Sequence, residues 1–321
     1  MTHNNVVGND VGSPQGDPRR VDARDGVHRC GYVGIVGRPN VGKSTLLNTL
    51  IGQKISITAP KPQTTRHSII GVKTLPDAQI LYVDTPGLHK DTGRAMSRVL
   101  NRAAQGILEG VNVVVFIIEA MRWTDEDAEV LERLRSVKVP VLLAINKVDL
   151  QGDKEALLPF LQTVASRFDF AEIIPISARK GSNLARLEQA VAERLPEGPP
   201  AYDEDTLTTA SSRFIAAEFV REQITRMAHD EVPYGVTVEI ENYTVEPGLV
   251  RIDALIWVER EGQKGILIGR NGEMLKEIGR RSRINLENLL GSKVFLRLWV
   301  KVKGGWSDDE RALRALGYGE S

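Results

Sequence analysis

Gly37-Arg38-Pro39-Asn40-Val41-Gly42-Lys43-Ser44 stands directly after the apolar run Tyr32 to Val36 and directly before a segment of helical character. This is the G-x-x-x-x-G-K-[ST] layout, and its chemistry follows from the backbone. Glycines let the chain curl so that successive N–H groups point at an anion, and the helix N-terminus adds partial positive charge. Lys43 reaches the outer phosphates of a bound nucleotide, and Ser44 offers a hydroxyl to Mg2+. Thr45 continues the loop into the helix.

Outward from this loop, short apolar runs alternate with longer amphipathic segments, the pattern of a parallel sheet with crossover helices. Strands are expected over Tyr32 to Val36, Gln79 to Val83, Val113 to Ile118, Val141 to Ile145 and Glu172 to Ile176. Helices are expected over Thr124 to Val137, Lys154 to Phe168 and Asn183 to Leu195. The first half therefore reads as an α/β domain. It ends at Leu195, because Pro196-Glu197-Gly198-Pro199-Pro200 continues neither helix nor strand. Beyond this linker the expected order is a helix over Leu207 to Ala228, strands Gly235 to Tyr243 and Leu249 to Val258, and a turn at Glu246-Pro247-Gly248 between them. A short apolar helix around Ile266, a long basic helix from Glu273 to Leu290 and a strand Lys293 to Val302 follow.

Composition bounds the rest. The 321 residues include 42 Lys plus Arg and 42 Asp plus Glu, yet residues 260–303 hold 11 basic against 4 acidic side chains. The charge is segregated, and the basic stretch is a candidate polyanion site. Cys30 is the only cysteine, which excludes an intrachain disulfide and a cysteine-based metal cluster and suits a reducing cytoplasm. No apolar run approaches the roughly 20 residues that a bilayer-spanning helix needs, and the polar N-terminus lacks the apolar core of a secretory signal.

Two further motifs specify the ligand. Asp84-Thr85-Pro86-Gly87 closes the strand Gln79 to Val83, so Asp84 emerges beside the phosphate loop, positioned to hold Mg2+ through water. The Gly87 N–H is then available to the γ-phosphate. Asn146-Lys147-Val148-Asp149 follows the strand Val141 to Ile145. A carboxylate at Asp149 accepts from guanine N1–H and its exocyclic amine, a donor pair adenine lacks, so guanine is the expected base. Ser177-Ala178 closes the base pocket, with the Ala178 N–H directed at guanine O6.

In this order and spacing the motifs resemble the GTPase branch of P-loop proteins. That resemblance implies GTP and GDP as ligands, Mg2+ held by Ser44, Asp84 and a threonine, and catalytic roles for Lys43, Thr65 and Gly87. Thr64 and Thr65 are both candidates for the threonine, and Thr65 is favoured by resemblance to bacterial GTPases with a T-T-R element. Leu88 stands where Ras-like members carry a water-orienting glutamine. Asn40 matches the asparagine that binds a stimulatory K+ ion in some members.

Gly-x-x-Gly occurs four times, starting at Gly31, Gly34, Gly262 and Gly269. Only Gly269-Arg270-Asn271-Gly272 joins a short apolar helix to a long basic one, the setting in which a KH domain clamps the backbone of about four nucleotides. Arg270 would meet phosphate there, with Asn271 inside the clamp, Arg280, Arg281 and Arg283 on the following helix would extend the positive surface, and Lys264 is a further RNA-binding candidate. With both halves read, the chain resembles the Era family of bacterial GTPases. The resemblance is carried by GIVGRPNVGKSTLLN, KPQTTRHSIIGV, YVDTPGLH, AINKVD, PISARKG, EVPYGVTVEIE, ILIGRNGEMLKEIG and WSDDERALRALGY. It implies an α/β P-loop GTPase domain followed by an α+β type II KH domain, GTP hydrolysis, and binding of the 3′ end of 16S rRNA during 30S subunit maturation. It further implies a monomer that is cytoplasmic, with peripheral membrane association at the inner face as an option. The expected divisions are a disordered tail over 1–28, the GTPase domain over 29–195, a linker over 196–205, the KH domain over 206–303 and a C-terminal tail over 304–321. A structural relic of a nucleotide site is disfavoured because Lys43, Ser44, Asp84 and Asp149 are all intact.

Overall fold

The computed structural model describes residues 27–61, 64–87, 95–152, 156–228, 232, 235–316 and 318. The first sheet comprises β1 (Arg29–Val36), β2 (Ile69–Thr74), β3 (Ala78–Asp84), β4 (Val113–Glu119), β5 (Val141–Asn146) and β6 (Glu172–Pro175), in the order β2-β3-β1-β4-β5-β6. Neighbours are parallel except β2 and β3. Parallel strands covered on both faces read as continuous apolar runs, and every residue from Val113 to Ile118 is buried. Helices α1 (Lys43–Ile51) and α5 (Leu184–Ala192) pack on one face; α2 (Ala95–Gly110), α3 (Asp125–Leu134) and α4 (Leu157–Ala165) pack on the other.

Register delivers the site residues. Ile35 of β1 lies opposite Asp84 of β3, and Glu119 of β4 opposite Asn146 of β5, so the strand ends bring these side chains to one edge. The strand order reverses about β1, and the crevice at such a point is where open α/β sheets take ligands.

Strand β2 is absent from the sequence expectation. It is an antiparallel edge strand, and the chain after the linker covers its outer side: Val72 N–H donates to Leu207 O at 2.9 Å and Thr208 Oγ1 to Ile70 O at 2.7 Å. This pairing also corrects the next helix, which begins not at Leu207 but as α6 (Ser212–Met227), capped by Ser211. Residues 196–205 are pinned to the first sheet rather than merely spanning a gap. Buried Gln79 accepts from the Ala201 and Tyr202 N–H groups at 2.8 and 2.9 Å and donates to Tyr202 O at 2.8 Å.

The second sheet holds β7 (Val236–Glu246), β8 (Leu249–Val258) and β9 (Lys293–Val302) in that order, with α7 (Glu261–Ile268) and α8 (Glu273–Leu290) crossing over between the parallel pair β8 and β9. β7 runs past the expected Tyr243 to Glu246 before the hairpin turn, with a bulge between Ile240 and Asn242. α8 buries Ile278, Ser282 and Leu286, four residues apart, and so turns its arginines outward. The order α6-β7-β8-α7-α8-β9 is the one expected, and the fold as a whole is a P-loop-type α/β unit followed by a KH-type α+β unit.

The expected C-terminal tail is corrected. A turn at Trp306–Asp308 and α9 (Glu310–Ala315) pack on α2, where Trp306, Leu313 and Tyr318 join Ala95, Met96, Val99 and Leu100 in one apolar cluster. Asp308 Oδ1 accepts from the Ala95 N–H at 2.9 Å, and Glu310 pairs with Arg102 at 3.0 Å. The apolar partners of this segment lie far earlier in the chain, so its own residues read only as a short polar end. Of the expected N-terminal tail, residues 1–26 lie outside the described residues. His28, its last residue, exchanges hydrogen bonds with Gly198: its Nδ1 lies 2.9 Å from Gly198 O, and the Gly198 N–H donates to His28 O at 3.0 Å.

Candidate nucleotide site and Gly-x-x-Gly loop

A cavity of about 310 Å3 opens at the strand edge. Pro39, Asn40, Gly42, Lys43, Ser44 and Thr45 line it from the loop, Ile57 to Lys61 with Thr64 and Thr65 from the segment before β2, and Gly87 and Lys147 from the two later motifs. The loop curls through left-handed backbone at Asn40 (φ 61°) and Gly42 (φ 109°), while Val41 between them is buried in the core. Position 42 requires glycine twice over, since a Cβ there would lie 2.4 Å from Asn146 Nδ2.

Lys43 is buried, and its Nζ donates to Gly37 O at 2.8 Å and Arg38 O at 2.9 Å. Burial pushes its ammonium down to about 8, against the opposing pull of Asp84. Gly87 passes close by: a Cβ on it would lie 3.3 Å from Lys43 Nζ and 3.5 Å from Pro39. Thr85 donates to Ile35 O at 2.9 Å and so fastens the Asp84-Thr85-Pro86-Gly87 turn to β1. Leu88 lies outside the described residues.

Asp84 is the centre of a hydroxyl cluster. Its Oδ2 accepts from Ser44 Oγ at 2.7 Å and Ser56 Oγ at 2.8 Å, with Thr65 Oγ1 at 3.5 Å; Ser44 Oγ and Thr65 Oγ1 are 2.9 Å apart. Burial raises the carboxyl above its ordinary value, and the Ser44 bond only partly opposes this. Asp84 Oδ1 is buried with no hydrogen-bond partner. An oxygen in that condition is costly unless a cation or donor meets it. Two hydroxyls and an orphaned carboxylate oxygen are a hard donor set of the kind Mg2+ takes when substrate phosphates and water complete its shell. No group of three or more His, Cys, Asp and Glu forms an all-protein cage among the described residues. Of the two adjacent threonines, Thr64 spends its hydroxyl on Lys61 O at 2.6 Å, and Thr65 turns to Ser44 and Asp84.

The base-side motifs are cross-linked to the loop. Asn146 Nδ2 donates to Val41 O at 2.7 Å, and its Oδ1 accepts from the Ala178 N–H at 2.9 Å. The Ala178 N–H, expected at guanine O6, is thereby placed beside Asn146 at the same strand edge. Ser177 Oγ accepts from the Lys180 N–H at 3.1 Å. Asp149 sits exposed in a single helical turn, Val148–Leu150, after Lys147 in left-handed backbone. Asn40 Nδ2 donates to Pro60 O at 3.2 Å.

Several organising residues escape sequence reading. Glu119 Oε2 lies 2.9 Å from Arg38 and 3.1 Å from Lys147, so one carboxylate ties the phosphate loop to the Asn146-Lys147 motif. Buried Asp127 accepts from Arg38 Nε at 3.2 Å and closes a capping box with Thr124. Asn48 Oδ1 accepts from the Ile55 and Ser56 N–H groups, each at 2.9 Å, which sets Ser56 against Asp84. The only sequence signal for Glu119 is that it ends a buried strand at the same sheet edge.

Gly269-Arg270-Asn271-Gly272 forms a turn between α7 and α8. Gly269, Asn271 and Gly272 are left-handed (φ 70°, 53° and 77°), and a Cβ on Gly269 would lie 2.7 Å from Met274 Cβ. Arg270, Asn271, Arg280, Arg281 and Arg283 are exposed and Lys264 is half-buried. Glu277 complicates the basic face: it accepts from Arg280 at 2.8 and 2.7 Å and from Arg281 at 2.6 Å, and these bonds hold its carboxyl down at about 2. Lys264 pairs loosely with Glu261 at 3.8 Å, whereas Arg270 and Arg283 have no acidic partner within 4.0 Å among the described residues.

Residues 32–147 match the family model described as 50S ribosome-binding GTPase, and residues 231–307 match the KH domain model. The chain is 57% identical over 293 residues to the GTPase Era of Azotobacter vinelandii, covering 91% of this chain and 98% of that protein. It is 55% identical over 291 residues to that of Stenotrophomonas maltophilia, again covering 91% and 98%. Among solved structures, a point variant of Aquifex aeolicus Era bound to GDP and AlF4− superposes with a TM-score of 0.88 at 40% identity, over 91% of this chain and 100% of that one. Era in complex with MgGDPNP and nucleotides 1506–1542 of 16S ribosomal RNA superposes equally well, with the same identity and coverage.

The buried ammonium has a measurable consequence. A bound polyphosphate favours the charged form of Lys43 and raises its value above about 8. Below that pH the lysine is protonated both free and bound, and affinity is flat. Above it, binding takes up a proton, so GDP affinity should fall by up to about tenfold per pH unit. Calorimetric titration between pH 7 and 9 checks this; a flat profile with no proton uptake would show that burial does not hold the free Lys43 ammonium down near 8.

Proposed function

Since the chain belongs to the Era family of GTPases, we propose that it hydrolyses GTP during 30S small-subunit maturation and holds the 3′ end of 16S rRNA in its second domain. One observation carries the reading: a nucleotide site built around Lys43, Asp84 and Asn146 and an exposed Gly269-to-Gly272 clamp occur in the same chain. The similar protein bound to MgGDPNP and to nucleotides 1506–1542 of 16S rRNA supports the same pair of ligands.

The triphosphate lies along the backbone from Gly37 to Thr45, with Lys43 against the β- and γ-phosphates and the Gly87 N–H against the γ-phosphate. Ser44, Thr65 and Asp84 would hold Mg2+, which would supply positive charge to neutralise the phosphate oxygens. Water attacks the γ-phosphorus in line, the bond to the bridging oxygen of GDP breaks, and Lys43 and Gly87 stabilise the developing charge. Leu88 has no polar atom in its side chain to orient that water. We assign a K+ ion to Asn40, whose amide already binds the opposing segment at Pro60. Asp149 reads the guanine, and Asn146 frames its pocket. No described helix is long and apolar enough to cross a membrane. We propose a cytoplasmic, monomeric protein, with peripheral association at the inner face of the membrane as an option.

Three measurements test these assignments. Asp149→Asn exchanges a carboxylate acceptor for an amide that suits xanthine; GTP affinity should drop and XTP affinity rise, and unchanged preference removes Asp149 from base recognition. Hydrolysis should run faster in K+ than in Na+ at matched ionic strength, with equal rates counting against Asn40 as an ion ligand.

For the RNA, R270D/N271D reverses charge in the clamp while leaving every buried apolar position intact. Affinity for an oligonucleotide of the 16S rRNA 3′ end should fall steeply. Loss of Arg270 alone should flatten the log–log salt dependence by about one counterion. Because Glu277 already occupies Arg280 and Arg281, their removal should matter less than that of Arg270. A folded double variant that binds the oligonucleotide as the parent does would refute the clamp.

A further inference from the structure

The segment that carries Thr65 is gripped from the second domain. Lys54 pairs with Glu222 of α6, and Glu222 Oε1 accepts from the Thr58 N–H at 3.0 Å. Arg226 Nε donates to Thr58 O at 2.9 Å, and Arg66 Nη1 donates to Val236 O at the start of β7, also at 2.9 Å. A further buried contact is made by Arg221, which is 2% exposed. Its Nε donates to Glu218 Oε1 at 2.7 Å and its Nη2 to Glu218 Oε2 at 2.6 Å, and Nη2 also donates to Thr64 O. Burial alone would raise the Glu218 carboxyl, but the adjacent guanidinium outweighs it and holds the group ionised below its ordinary value.

We propose that Arg221 is a positioning residue for GTP hydrolysis, acting through the Thr64 carbonyl on Thr65. A guanidinium locked by a bidentate carboxylate is a rigid donor with a fixed direction. The carbonyl it holds belongs to the peptide that leads into Thr65, so fixing that peptide fixes the point from which Thr65 Oγ1 reaches Ser44 Oγ at 2.9 Å. Thr64 is held on its other side by its own hydroxyl bond to Lys61 O at 2.6 Å, and the two anchors leave the peptide little freedom. A side chain of the second domain thereby completes a site built on the first. The inference rests on the proposed role of Thr65 toward Mg2+ and the γ-phosphate. A pair that only joined the domains would affect every nucleotide-dependent property alike; a positioning residue affects those that involve Thr65.

The experiment uses the full chain with R221K, R221M and the charge-neutral pair E218Q/R221M, the last so that Glu218 is not left buried and unpaired. Circular dichroism and GDP affinity report folding, and kcat, KM for GTP and the Mg2+ concentration for half-maximal rate report the site. We expect the methionine variants to lose about tenfold or more in kcat and to need more Mg2+, with GDP affinity unchanged. R221K, which keeps the charge but cannot span Glu218 and Thr64 as a fork, should recover part of the rate. T65A is measured in parallel. Loss of rate in T65A with parental kcat and Mg2+ dependence in folded Arg221 variants overturns the positioning role alone. Parental rates in T65A overturn the reading beneath it. Equal loss of GDP affinity and kcat in all Arg221 variants marks a merely structural pair and also overturns the proposal. If the methionine variants do not fold, R221K decides by the same readouts.

Discussion

A single carboxylate oxygen organises this molecule. Asp84 Oδ2, buried at the end of β3, draws in hydroxyls from three separate segments: Ser44 at the start of α1, Ser56 in the loop after it, and Thr65 ahead of β2. A buried carboxylate must be met by donors or cations, and a charged acceptor makes each of those bonds stronger than a neutral one would. The requirement sets where the phosphate loop ends and where the following segment folds back. It also leaves Asp84 Oδ1 buried without a hydrogen-bond partner, an acceptor position that the Mg2+ assignment proposed above would fill.

Charge pairing repeats the theme on the other flank of the loop. Glu119 and Asp127 both engage Arg38, and Glu119 also holds Lys147, so the loop backbone is braced from β4 and α3 at once. Asn146 adds an uncharged cross-link from β5 to Val41 and on to Ala178. The curled loop passes through left-handed backbone at Asn40 and Gly42, the two residue types that adopt it most readily. The shape of the loop therefore depends on side chains from β4, β5 and α3 as well as on its own residues.

The two halves of the chain are not joined by a bare tether. Gln79 fastens residues 201–202 to β3, and residues 207–209 lie on β2. α6 grips the segment around Thr58 and Thr64, and the C-terminal Trp306, Leu313 and Tyr318 close over α2. His67 is sandwiched there, stacked on Tyr318 at 4.4 Å and edge-on to Phe214 at 5.2 Å; burial pushes its imidazole down to about 4, so it is neutral near pH 7. The segment that lines the nucleotide cavity from Ile57 to Thr65 thus packs against α6 of the second domain.

Much of this was legible in local sequence, for physical reasons that local sequence can carry. Apolar runs mark parallel strands because both faces are covered, and Gly37 to Ser44 marks an anion loop because its backbone needs those residue types. Ser44, Asp84 and Asn146 could be named because each sits at the end of a buried strand or the start of a helix, where the sheet must deliver it to one edge. Other features depend on partners distant in the chain and leave no periodic trace. β2 is an edge strand completed by residues 207–209, and Glu119, Asp127 and Ser56 look like ordinary surface or turn residues until their partners arrive. Arg221 reads as one more charge on an amphipathic helix, and the segment after Lys303 as a polar end. Sequence determined the fold class, the nucleotide chemistry and the Gly269-to-Gly272 turn, because these rest on backbone conformation and on side chains close together in the chain. Thr65 was already favoured over Thr64 by resemblance, whereas tertiary structure alone decided what Ala178 donates to and how Glu277 occupies Arg280 and Arg281. Those outcomes turn on ångström-scale competition for hydrogen bonds that only the packed chain resolves.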